Sequence, residues 1–191
     1  MSSLPGLSHP LKPTYPAHST TTESPSTQSL IDKLRLERHV EGGYFSEIDR
    51  NELIIPNPFK PSSLAAEQKG RELKAKEDDT RNASTSIFYL LTPVSPQGHF
   101  HRNKGRTVHT VVEGRGRYVL IHDDEEGKRI ETFVVGKEVV KGEKAVWIVE
   151  GGKYKASFLL PVNEQKGTGE DDRLLISEVS SSELWWIGAV G

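Results

Sequence analysis

A chain of 191 residues, 34% of them hydrophobic, has the size of one domain plus tails; a domain of roughly 150 residues buries about 68–70% of its unfolded surface in a single core. The formal net charge is -2, from 25 basic and 27 acidic residues, and the two signs are interspersed, so no basic footprint for nucleic acid is expected. The absence of cysteine excludes disulfides, thiolate nucleophiles and cysteine-ligated zinc.

Residues 1–28 are rich in Ser, Thr and Pro and are read as a disordered tail. They lack the apolar core of a secretory signal, and no later run of about 20 uncharged apolar residues reads as a membrane span. The expectation is a soluble, cytoplasmic protein with no membrane partner. Ser29, followed by Leu30, Ile31 and Leu34 with Asp32 at the capping-box offset, predicts a short amphipathic helix ending near Arg38. From Gly43 the pattern changes to short β segments, with strands expected near 43–50, 85–92, 97–102, 106–113, 115–122, 129–135, 145–150, 153–161 and 173–180. Residues 51–80, with Pro56, Pro58 and Pro61 and then a charged run, read as a surface insertion. Asp123-Asp124-Glu125-Glu126-Gly127 between two apolar segments reads as a hairpin loop, which makes the sheet antiparallel. Many short strands without alternating helices predict an all-β sandwich, jelly roll or closed barrel over residues 29–180.

Several segments resemble the RmlC-like cupins, and more narrowly a branch of single-domain fungal and bacterial cupins of mostly unassigned function. They are His39-Val40-Glu41-Gly42-Gly43-Tyr44-Phe45-Ser46-Glu47, Ser86-Ile87-Phe88-Tyr89-Leu90-Leu91, Phe100-His101-Arg102, Gly114 and Gly151-Gly152-Lys153-Tyr154-Lys155-Ala156-Ser157-Phe158. The resemblance implies a double-stranded β-helix (jelly-roll) barrel with one short N-terminal helix, a small-molecule ligand in the barrel mouth, and a homodimer. Residues 181–191, with Trp185-Trp186, depart from the Pro-Gly-Phe continuation of such relatives and are read as an atypical C-terminal tail.

In a regular strand, residues two apart share a face, so His99 and His101 are expected to point together into the barrel. The metal pattern of cupins adds a Glu soon after the second His, and later another His. Those positions fall on Thr107 and Lys155 here, which leaves half a ligand set. A lysine about 5 Å from a divalent ion would repel it by roughly 6 to 7 kcal/mol at an effective dielectric near 20. The cofactor therefore stays undetermined, with His99 and His101 as the metal candidates and Glu150, Glu41 or His109 as substitute ligands.

Without metal, the resemblance implies acid–base chemistry. His101 is the candidate base, because histidine titrates near neutral pH, and Tyr89 and Tyr118 are candidate acids. His99, Arg102, His109, Lys155, Glu41 and Tyr44 complete the candidate pocket, with Lys155, Arg102 and Arg106 as partners for an anionic group. The two glycines before Tyr44 have a sufficient explanation as a backbone turn. The leading reading is a metal-independent isomerase or epimerase acting on a sugar-like or polar anionic ligand. The alternatives are a metal-dependent oxygenase or isomerase, and a non-catalytic binding or storage-like cupin.

Overall fold

In a computed structural model, which describes residues 13–16, 22–59, 79–163 and 167–181, the helix α1 spans Pro25–Leu34. It starts five residues before the position read from Ser29. Ser24 is its cap, accepting a hydrogen bond from the Thr27 N–H, and Pro25 takes the first turn. The Ser-Pro pair outcompetes Ser29 because proline fixes its own φ near the helical value and lacks the N–H that the first turn leaves unpaired. The ordered chain thus reaches back into the stretch read as tail, and Tyr15, also within it, is buried against the main core.

All nine strands read from the sequence are present, within two residues of the expected ends. In chain order the strands are β1 Glu37–Arg38, β2 Tyr44–Arg50, β3 Ile54–Pro56, β4 Thr80–Asn82, β5 Ser84–Leu91, β6 Gln97–Arg102, β7 Thr107–Gly114, β8 Gly116–Ile121, β9 Ile130–Val135, β10 Val146–Val149, β11 Tyr154–Leu159 and β12 Leu174–Ser181. A six-stranded sheet runs β1-β2-β5-β12-β7-β10, and a four-stranded sheet runs β6-β11-β8-β9. Every strand pairing is antiparallel. The ends of the 51–80 insertion form a small ladder of their own, β3 with β4; residues 60–78 within it lie outside the described residues, as do 182–191 of the C-terminal tail.

Alternation along the strands divides the interior into layers. Leu91, Val135, Leu159 and Leu174 close one end of the barrel, with Val111, Tyr118, Leu120, Trp147, Val149 and Ile176 also in that core. The outer face of the six-stranded sheet is covered by α1, where Ile31 and Leu36 meet Leu90, Leu175 and Tyr44. Toward the other end, the inward positions turn polar on three strands: Thr107 and His109 on β7, Glu178 and Ser180 on β12, Lys155 and Ser157 on β11. A change from apolar to polar along the same inward face is what opens a site in an otherwise packed barrel.

Candidate functional site

The site begins at the turn from β1 into β2. Gly42 and Gly43 have φ of 88° and 73°, a region costly for other residues, and a Cβ on Gly42 would lie 2.1 Å from the Gln97 carbonyl oxygen. The turn is therefore a backbone requirement, as the sequence suggested. It lays the preceding residues against β6, where the His99 N–H donates to the Glu41 carbonyl at 2.7 Å. Glu41 is buried by this contact.

His101 receives Glu41 from the side. Its Nδ1 stands 2.8 Å from the Glu41 carboxylate and 3.0 Å from the His99 carbonyl oxygen. The His99 carbonyl accepts the Nδ1 proton, with the Glu41 carboxylate beside it as a charge contact, so Nε2 is left free to accept a proton. Tyr89 and Tyr118 join them around one cavity, together with His39, Phe45, Ile87, Ser157, Ile176 and Glu178. Its volume is about 30 Å³, space for two or three waters by the rule of roughly 10–15 Å³ each. A sugar does not fit this form of the cavity.

Both phenols are already engaged. Tyr89 donates to the Gly42 carbonyl at 2.8 Å, and the Tyr118 hydroxyl lies 3.2 Å from His109 Nε2. Burial pushes both phenols above their ordinary range, with Glu178 adding to the effect.

Behind the cavity is a buried ionic cluster. The Lys155 ammonium, on a side chain only 1% exposed, lies 2.6 Å from Glu178 Oε1, 3.1 Å from His109 Nε2 and 3.4 Å from the Thr107 hydroxyl. Glu178 Oε2 reaches His109 Nε2 at 2.9 Å, and Asn103 donates to Glu178 at 3.3 Å. Burial alone would raise the Glu178 carboxyl, but the Lys155 charge, and then His109, hold it well below the usual carboxylate range. Burial pushes the Lys155 ammonium down, with Glu178 opposing. His109 is likewise pushed down by burial, against the pull of Glu178, and it stacks on Trp147 at 4.9 Å between ring centroids.

Of the residues expected to form the pocket, Glu41, Tyr89, His101 and Tyr118 line the cavity, and His109 and Lys155 stand directly behind it. His99 is exposed on the outside and lines a separate surface depression with Arg38 and Gln97. The reason is a bulge: against β11, Lys155 pairs with His101 while Ser157 pairs with Gly98, so β6 carries one extra residue over that interval. An extra residue breaks the two-residue alternation and re-aims the side chain next to it. Arg102 lies outside the cavity, held by Asp123 at 3.3 Å and over the Tyr154 ring. Arg106 pairs with Glu150, and Tyr44 donates outward to Glu23 at 2.6 Å. Because Arg102, Arg106 and Lys155 each face a carboxylate, the reading of these cations as partners for an anionic ligand has no support in the geometry.

The residue missed from the sequence is Glu178. The signal was its phase: Leu174, Ile176, Glu178 and Ser180 share one face of β12, so a carboxylate stands in line with core positions.

A divalent ion does not fit this constellation. The Lys155 ammonium fills the space between the inward donors, His99 faces away, and no group of three His, Asp or Glu side chains able to hold a metal occurs among the described residues.

The family described as Cupin superfamily (DUF985) matches residues 28–182. The chain belongs to this cupin family. A relative named uncharacterized protein YML079W, from Saccharomyces cerevisiae, is 42% identical to this cupin over 160 residues, covering 82% of this chain and 71% of that one. Two solved structures share the fold: a hypothetical protein from Leishmania major, with TM-score 0.59, 25% identity and coverage of 81% and 80% of the two chains, and protein SO0799 from Shewanella oneidensis, with TM-score 0.55, 22% identity and coverage of 83% of each. The all-β cupin barrel, with one α-helix among the described residues, is thus established. No helix among the described residues is long and apolar enough to cross a membrane.

Proposed function

We propose that this cupin carries out metal-independent proton transfer on a small, uncharged polar ligand bearing a carbonyl, an isomerase or epimerase type of reaction. The observation that supports it is the His101–Glu41 contact of 2.8 Å on the wall of the cavity shared with Tyr89 and Tyr118. The His99 carbonyl fixes the tautomer, Glu41 lies beside the ring as a charge contact, His101 Nε2 removes a proton next to the ligand carbonyl, and a phenol on the other side returns one. The ligand is uncharged because the nearby cations are already balanced.

The test is solvent exchange. In D₂O, the protein is expected to catalyse loss of the C–H signal next to the carbonyl in at least one of a panel of small hydroxyaldehydes and hydroxyketones followed by NMR. His101→Asn should lower that rate by about 10²–10⁴-fold, the usual contribution of a positioned acid or base. Binding of a panel member without exchange would favour the second reading, a non-catalytic binding protein. That reading draws support from the two hydroxyls already engaged, with Gly42 and with His109.

The same proposal includes a homodimer. Val112, Val146, Ile148 and Val179 are 38%, 56%, 46% and 40% exposed on the outer face of the neighbouring strands β7, β10 and β12, a grouping that suits a self-complementary contact. Sedimentation velocity should report a dimer for the native chain and a monomer for Val146→Asp/Ile148→Asp; an unchanged coefficient in that variant would remove this surface from the dimer.

A further inference from the structure

We infer that Lys155 is a tethered cation that occupies a metal seat, so that the barrel has exchanged a dissociable ion for an ammonium of its own. The shape of the seat supports this. Glu178 Oε2 and His109 Nε2 are 2.9 Å apart, close to the spacing of about 3–3.4 Å that two donors adopt around an ion held at 2.0–2.2 Å from each. They come from adjacent strands, β12 and β7, and face Lys155 on β11 across the barrel. The ammonium takes a carboxylate, an imidazole and a hydroxyl, which are the donor types a hard or borderline divalent cation would accept.

Charge explains why the two occupants exclude one another. One carboxylate and one ammonium make the cluster neutral, and the imidazole is kept neutral by burial. A divalent ion added beside the ammonium would leave an uncompensated positive charge in a buried site. The ammonium cannot dissociate or be chelated, and it lies within reach of Glu178 at 2.6 Å, His109 at 3.1 Å and Thr107 at 3.4 Å. The scaffold keeps the seat because the positions around it are set by strand register: His101 is the direct pairing partner of Lys155 on β6.

The inference goes beyond the proton-transfer reading and is tested without any activity. Native protein is dialysed with Zn²⁺, Ni²⁺ or Mn²⁺, desalted and assayed for metal by elemental mass spectrometry, beside Lys155→His, which replaces the cation with a third neutral donor. Less than a tenth of an equivalent is expected in the native chain and close to one equivalent in Lys155→His, lost again in Lys155→His/Glu178→Gln. Circular dichroism confirms that each variant is folded. If Lys155→His does not fold, addition of Mn²⁺ to native protein decides the matter through paramagnetic broadening of the His109 ring signals. Absence of broadening is expected. Stoichiometric metal in the native barrel, broadening of His109, or a folded Lys155→His that takes up no metal would each overturn the inference.

Discussion

Glu178→Ala is expected to lower the stability of the barrel by about 3–5 kcal/mol, the range for removing one partner of a buried ion pair. The side chain lost is the counterion of a lysine only 1% exposed, and it also partners His109 at 2.9 Å and Asn103 at 3.3 Å. An ammonium stranded there either stays charged without compensation or gives up its proton, and both raise the free energy of the folded state. Taking out both charges behaves differently. Glu178→Leu/Lys155→Met is expected to recover most of the loss, because a neutral, well-packed replacement carries no desolvation penalty. Urea denaturation of the three proteins measures this directly as shifts in the transition midpoint. A Glu178→Ala midpoint equivalent to less than 1 kcal/mol of destabilisation would mean that water reaches the cluster and screens it.

The second large effect is acid lability with two steps. His109 has its folded value below the ordinary 6.5, so between those two values the unfolded chain binds the extra proton and stability falls as the pH falls. Glu178 has its folded value well below 4.5; its stabilisation is present above that ordinary value and is lost as the pH drops toward the folded one. The two add in the same direction. Each proton of difference contributes about 1.4 kcal/mol per pH unit, so the stability curve should bend down below pH 6.5 and more steeply below 4.5. His109→Asn removes the upper bend and leaves the lower one. Guanidinium unfolding at half-unit pH intervals would show this, and a curve flat from pH 7 to 5 in the native protein would contradict the assignment of His109 as a neutral, buried imidazole.

The barrel was legible because strands announce themselves by alternation. Val111, Leu120, Trp147 and Ile176 recur at inward positions whatever the surrounding loops do, and the Asp-rich turn before Ile130 has a composition few other conformations use. The candidate site was legible in part. His101, Tyr89, Tyr118 and Glu41 were singled out by residue type and do meet around one cavity. Glu178 was hidden because a lone carboxylate in a strand ordinarily faces water, and only its phase with Leu174 and Ile176 marks it as inward. Tyr44 and Arg102 carried suitable chemistry but point to Glu23 and Asp123, partners remote in sequence that no local pattern reveals. The start of α1 was misjudged for the opposite reason. Two valid start signals lie five residues apart, and the one reinforced by proline prevails.

The extra residue in β6 decides more than the orientation of His99. Strand β6 presents Gly98 to Ser157 and to the Tyr89 hydroxyl, where a Cβ would lie 2.5 Å from that oxygen. Were β6 to pair with β11 in regular register from His101, with no bulge, His99 would stand opposite Ser157 in the place of Gly98, and the imidazole would claim the volume that the phenol now fills. The inward face of β6 is thus a matter of parity. A one-residue bulge in the pairing of β6 turns a wall with two histidines into one with a histidine and a tyrosine, a larger change in chemistry than most substitutions at the same positions could produce.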